Sequence, residues 1–79
     1  MDIQCNDPVQ LDTKGLNCPM PLLKAKLALN KMTAAQVLKV IATDPGSEKD
    51  FQLFAQQSNN KILEFRKEES AYFYFIEKG

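Results

Sequence analysis

The sequence predicts a small α/β protein, a two-layer sandwich in which two helices cover one face of a mixed four-stranded sheet. Three observations lead to this fold class. The chain has 79 residues, which is enough for one domain and too few for two. Its apolar residues follow strand and helix periods in the order strand, helix, strand, helix, strand, strand. Strand–helix–strand units require right-handed parallel crossovers, which place both helices on the same face of one sheet.

The chain is predicted to begin with a flexible tail over residues 1–7, which have little apolar content, and to form a single domain over residues 8–79. Val9 and Leu11 alternate with polar neighbours. This period of two predicts a short strand over residues 8–13.

The next segment has the period of an amphipathic helix. Its first turn is Cys18-Pro19-Met20-Pro21, where we expect Cys18 as the N-cap and Pro19 as the first helical residue. One apolar row is predicted to consist of Leu22, Ala25, Leu29 and Met32, and its neighbouring row of Leu23 and Leu27. The solvated face is predicted to consist of Lys24, Ala28 and Lys31.

The second half of the chain predicts a central strand, a helix and a hairpin. Residues 37–42 are rich in β-branched side chains and almost continuously apolar, as in a buried strand. Ser47 and Asp50 have the spacing of a capping box at the start of a second helix. Residues 62–67 and 71–77 are separated by three residues, which indicates an antiparallel pair.

The last predicted strand carries four consecutive aromatic residues at positions 72–75. Because side chains alternate along a strand, one pair must point away from the helices. That pair either forms a partner site on the open face or is covered by cross-strand neighbours such as Leu63 and Phe65.

Composition excludes several classes of function. The chain has no histidine and two cysteines, so Ser-His-Asp and Cys-His catalysis are excluded and a metal site is disfavoured. A formal net charge of zero disfavours nucleic acid as the main partner. Lys24, Lys26 and Lys39 interrupt the longest apolar stretches far short of the ~20 residues that cross a bilayer. We therefore expect a cytoplasmic protein without a membrane segment.

Cys18 is the candidate reactive residue. It lies between the first strand and the first helix, where the helix dipole and the Met20 amide are expected to lower the pKa of its thiol. Pro19 and Pro21 make this turn rigid, which suits a sulfur presented to other proteins. Cys5 lies in the tail and has no such activation, and the two cysteines do not form a Cys-x-x-Cys redox pair.

Four charged residues are candidates for partner docking near Cys18. Lys14, Lys24 and Lys31 would form a basic flank, although exposed lysines equally suit a solvated helix face. Asp44 is expected at the same end of the sheet as Cys18, because parallel strands bring their following turns together. It would restrain the thiolate or face a partner there, or act only as a turn former or helix cap.

The stretch from Leu11 to Leu22, with Leu-Asp-x-x-Gly followed by Cys-Pro-x-Pro, resembles the TusA/SirA/YedF family of small sulfur-carrier proteins. The resemblance runs from about Val9 to Lys78. It implies a fold similar to the C-terminal domain of bacterial translation initiation factor 3, with strand order 1-2-4-3. Members that serve tRNA thiolation typically carry Glu in the x position of Cys-Pro-x-Pro, where this chain has Met20.

The family resemblance also implies a function. Cys18 would carry sulfur as a covalent persulfide, charged by a cysteine desulfurase and unloaded by an acceptor protein in tRNA thiolation or in other sulfur trafficking, such as that for molybdenum cofactor. We expect a monomeric relay protein with no turnover of its own and no other cofactor. The alternative is a regulatory or adaptor protein in which the same turn is only a rigid helix start.

Overall fold

The computed structural model describes residues 8–79 and confirms the predicted fold class. The predicted tail over residues 1–7, including Cys5, lies outside the described residues. The elements in chain order are β1 (Val9–Thr13), α1 (Met20–Asn30), β2 (Val37–Ala42), α2 (Ser47–Gln57), β3 (Lys61–Glu68) and β4 (Ala71–Glu77). Both helices span 11 residues, and no helix of the described part is long and apolar enough to cross a membrane.

The sheet has the strand order β1-β2-β4-β3 that the resemblance implied. β1 and β2 are parallel, with Leu11 opposite Val40. β4 is antiparallel to both of its neighbours, and Tyr74 is opposite Val40 on one side and Phe65 on the other. The parallel pairing brings the carboxyl ends of β1 and β2 to one edge of the sheet, and the loops that lead into the two helices begin there.

The core lies between the sheet and the two helices. The Phe51 ring of α2 stacks on the Tyr74 ring of β4 with 4.4 Å between ring centres. A stacked aromatic pair adds about 0.5–1.5 kcal/mol to the free energy gained by burying its area. The other buried apolar residues are Ala25, Leu29, Leu38, Val40, Ala42, Tyr72 and Ile76.

The apolar face of α1 is narrower than predicted. Pro21, Ala25 and Leu29 are buried, at a spacing of four residues. Leu23 and Leu27, which we expected to form the neighbouring apolar row, are 43% and 63% exposed. Ala28 was expected on the solvated face, but it packs against the core. A short helix on a twisted sheet buries one row of side chains, and the neighbouring row is left in solvent.

The open face of the sheet is covered in part by a lysine. Phe73 and Phe75 point away from the helices, and the Lys39 ammonium lies 5.6 Å and 5.8 Å from their ring centres. Phe65 instead contacts the rings of Tyr72 and Tyr74 on the helix side. The outward aromatic pair is therefore shielded by cation–π contacts and not by Phe65.

Candidate functional site

Cys18 lies in the loop between β1 and α1, and its side chain is exposed. The helix begins one residue later than predicted, because Pro19 is the N-cap and Met20 is the first helical residue. Cys18 therefore precedes the N-cap, and the expectation that it caps the helix is wrong. The peptide bond between Cys18 and Pro19 is cis. Pro21 occupies the second helical position and packs into the core, which fixes the start of α1 on the sheet.

Asp44 holds the main chain of Cys18. Its Oδ2 atom accepts a hydrogen bond from the Cys18 N–H at 3.3 Å. The carbonyl of Asp44 also accepts a hydrogen bond from the Ser47 N–H at 3.0 Å. Asp44 thus connects the loop after β2 to the loop after β1.

Asp50 contacts the sulfur itself. The Cys18 thiol donates a hydrogen bond to Asp50 Oδ2, with 2.5 Å between Sγ and the oxygen. Asp50 lies in the first turn of α2, 32 residues after Cys18 in the sequence. Sequence reasoning missed this contact, because the spacing from Ser47 suggested that Asp50 serves as a cap partner.

The predicted capping box is absent. Gly46 is the N-cap of α2, and the helix start carries no side-chain cap hydrogen bond. Ser47 is buried, and its hydroxyl shares a hydrogen bond with the Tyr74 hydroxyl at 2.8 Å. With Ser47 occupied in the core, the Asp50 carboxylate is directed to the Cys18 sulfur.

The pKa of Cys18 is raised above its ordinary value, not lowered as predicted. The hydrogen bond to Asp50 is the largest cause, followed by desolvation and by the negative charges of Asp50 and Asp44. The Met20 amide, which we expected to face the sulfur, donates to the Asn17 carbonyl at 2.8 Å. A thiol that donates to a carboxylate loses this bond on ionisation, so the thiol form is favoured.

None of the three candidate docking lysines is among the groups that shift the pKa of Cys18. Lys24 and Lys31 line a shallow groove beside α1 together with Leu11, Leu27 and Ala28. Lys14 forms an ion pair with Asp12 at 3.8 Å, and both side chains are more than half exposed. An exposed pair of this kind contributes ~0–1 kcal/mol. Within residues 8–79, the ionised groups that act on the Cys18 thiol are both carboxylates.

The surroundings of Cys18 form an open surface. Two depressions in the described surface, one beside α1 and one lined by residues of α2 and β3, do not include Cys18. Among the described residues, no group of three cysteine or acidic side chains is arranged to hold a metal ion. The Cys18 sulfur is therefore exposed outside both of these depressions.

The family model described as "Sulfurtransferase TusA" matches residues 9–78 of the chain. The chain belongs to the TusA family. The sulfur carrier protein TusA of Allochromatium vinosum is 56% identical over 70 residues, which cover 89% of this chain and 92% of that protein. The sulfur carrier protein TusA of Pseudomonas putida is 37% identical, over 86% of this chain and 85% of that protein.

A solved structure confirms the fold of this TusA family member. The crystal structure of a SirA-like protein from Desulfitobacterium hafniense superimposes with a TM-score of 0.78 at 26% sequence identity. The match covers 90% of this chain and 97% of that chain. A member of a sulfur-carrier family works with proteins that donate and accept sulfur, so the open surface around Cys18 agrees with the family.

Proposed function

We propose that the protein accepts sulfur from a cysteine desulfurase as a persulfide on Cys18 and passes the outer sulfur to an acceptor protein. The observation that carries this proposal is the exposure of the Cys18 sulfur just before the start of α1 in a member of a sulfur-carrier family. An exposed cysteine held away from the core contributes little to packing. Its position suits chemistry with another protein better than a structural role.

The loading step is an exchange between a thiol and a persulfide. The Cys18 sulfur attacks the outer sulfur of the donor's persulfide, and a new S–S bond forms on Cys18. The S–S bond of the donor breaks, its electron pair stays with the donor thiolate, and the proton lost by Cys18 returns the donor to a thiol. Atoms and electrons balance without an oxidant, so the step needs no redox cofactor.

The surface of α1 next to Cys18 is the proposed docking region. Met20, Leu23 and Leu27 are 41%, 43% and 63% exposed, and their spacing of three and four residues aligns them along one side of the helix. Lys24 and Lys31 border this apolar line. An apolar strip with a charged border is typical of protein–protein contacts, in which charge complementarity increases the association rate.

The acceptor is a component of tRNA thiolation or of another sulfur pathway, such as that for molybdenum cofactor. Met20 is relevant to this choice because it replaces an acidic residue with an uncharged one beside the sulfur. A partner that pairs a basic group with an acidic residue at that position would lose this contact here.

Intact-mass measurement tests the loading step. Incubation with a cysteine desulfurase and cysteine is expected to add the mass of one or more sulfur atoms to the wild type and to Cys5→Ser, and reductant should remove it. Cys18→Ser should gain no sulfur, because a hydroxyl cannot form a persulfide. Equal loading of Cys18→Ser and wild type would refute the assignment of Cys18. If cells that carry Cys18→Ser still transfer sulfur normally, the alternative regulatory or adaptor function is favoured.

A further inference from the structure

We propose that Asp50 makes Cys18 retain its sulfur, because its carboxylate opposes formation of the Cys18 thiolate that must leave each time sulfur departs. The inference deepens the proposed sulfur-carrier function and rests on it. The 2.5 Å contact between the Asp50 carboxylate and the Cys18 sulfur is the geometric basis. Asp50 is thus a residue that sets how readily sulfur is released.

The contact joins two main-chain segments that are both held in place. Ser47 and Phe51 are buried on either side of Asp50 in the sequence, and both contact Tyr74. On the other side, the main chain of Cys18 is held by its hydrogen bond to Asp44. Because Tyr74 anchors the start of α2 and Asp44 holds the main chain of Cys18, the Asp50 carboxylate is kept beside the Cys18 sulfur.

Within residues 8–79, the charges that shift the pKa of Cys18 are both negative. The groups that act on the Cys18 thiol are Asp50 on α2 and Asp44 in the loop after β2, and both raise its pKa. The basic residue closest to Cys18 in the sequence is Lys14, and it forms an ion pair with Asp12. No lysine or arginine of the described part contributes to the shift, so no cation of residues 8–79 offsets the two carboxylates at this sulfur.

The release step explains why negative charge beside Cys18 slows the loss of its sulfur. An acceptor thiolate attacks the outer sulfur of the Cys18 persulfide and forms a new S–S bond, so the acceptor now carries the persulfide. The S–S bond on Cys18 breaks, and its electron pair leaves with the Cys18 sulfur, which then takes a proton from water. Exchange of this kind is faster when the leaving thiol has a lower pKa. A carboxylate beside the leaving sulfur therefore slows the loss of sulfur to small thiols. The outer sulfur of the persulfide is bonded about 2.05 Å beyond Sγ, and Sγ, which becomes the leaving thiolate, is the atom that the carboxylate contacts.

Asp50→Asn tests the role of the carboxylate, and Glu48→Gln is its matched control. Glu48 lies in the same first turn of α2 and carries the same charge, but it does not act on Cys18. All variants are made with Cys5→Ser, so that Cys18 is the single cysteine. Cys18 is loaded with inorganic polysulfide, which needs no desulfurase, and the protein is then challenged with glutathione while intact mass is followed over time.

We expect Asp50→Asn to lose its sulfur more than about twofold faster than the parent protein. Its iodoacetamide alkylation curve should also move to lower pH. Glu48→Gln should match the parent in both measurements. Asp44→Asn provides a second variant, and it should accelerate the loss less than Asp50→Asn, since the Asp44 charge is the smallest of the causes that raise the pKa of Cys18.

Three results would overturn the inference. They are equal or slower sulfur loss from Asp50→Asn, equal acceleration by Glu48→Gln, and failure of polysulfide to load Cys18. If circular dichroism shows that Asp50→Asn is unfolded, the rates of sulfur loss from the parent and from Asp44→Asn are compared instead. Asp44→Asn must then lose sulfur faster than the parent for the inference to stand. Failure of a desulfurase to load the wild type would refute the proposed function separately, because the retention assay does not use that enzyme.

Discussion

Ser47 and Tyr74 share a buried hydrogen bond, with 2.8 Å between their hydroxyl oxygens. This bond ties the first residue of α2 to the central region of the sheet, where Tyr74 is 1% exposed. Phe51, one turn later, stacks on the same ring. Asp50 lies between these two anchors, so the position of its carboxylate beside Cys18 depends on a tyrosine in the core.

Ser47→Ala is expected to lower the free energy of unfolding by about 1–3 kcal/mol, because it leaves the buried Tyr74 hydroxyl without its partner. Tyr74→Phe should cost a similar amount for the same reason. The double variant should cost less than the sum of the two, since each substitution removes the same bond. Urea unfolding of all three proteins measures these values, and strict additivity would show that the bond contributes nothing.

Stability should depend on alkaline pH through Tyr74. Burial raises the pKa of Tyr74 from its ordinary value near 10 to about 12, so the folded protein favours the neutral phenol. The stabilisation is fully present below pH 10, and it is lost as the pH rises from 10 to 12. Unfolding midpoints in urea measured across this range should fall more steeply for wild type than for Tyr74→Phe. Parallel curves for the two proteins would contradict the assignment.

Cys18→Ser is expected to change the free energy of unfolding by less than about 0.5 kcal/mol, because the side chain is exposed. The variant should be unable to take up sulfur. Thermal unfolding and intact-mass analysis on the same sample check both statements. A large loss of stability would mean that the thiol has a structural role.

Gly46→Ala should disturb the contact between Asp44 and the Cys18 main chain. A Cβ atom at Gly46 would lie 2.9 Å from Asp44 Oδ2, so the carboxylate must move away. We expect faster hydrogen exchange of the Cys18 amide by NMR, with little change in stability, because the backbone of Gly46 is in the ordinary helical region.

Gly15→Ala is the control for that measurement. Gly15 has a φ of 83°, and an added Cβ would meet open space, so the substitution strains the backbone without touching Asp44. It should cost about 1 kcal/mol of stability and leave the hydrogen bond to the Cys18 amide in place. If both variants change the exchange of the Cys18 amide equally, steric displacement of Asp44 is not the cause.

The order and type of the elements could be predicted from the sequence, because the periods of strands and helices are local properties of the chain. The position of Cys18 in the loop before α1 followed from the same pattern. Its protonation could not be predicted, since Asp50 is 32 residues away in the sequence and reaches the sulfur only through the packing of α2. Ser47 and Asp50 matched a local capping pattern, yet each makes a tertiary contact instead.

β3 is an exposed strand at the edge of the sheet, and its composition affects how the protein associates with other chains. β3 is an edge strand in which only Ile62 is partly buried, and its register with β4 shifts between Ile62 and Glu64. Glu64 and Arg66 form an ion pair at 2.6 Å on this strand. Charges and an irregular register along an edge oppose the addition of another strand. Aggregation by extension of the sheet is therefore discouraged at β3, while Cys18 remains at the far end of β1, where partners can approach it.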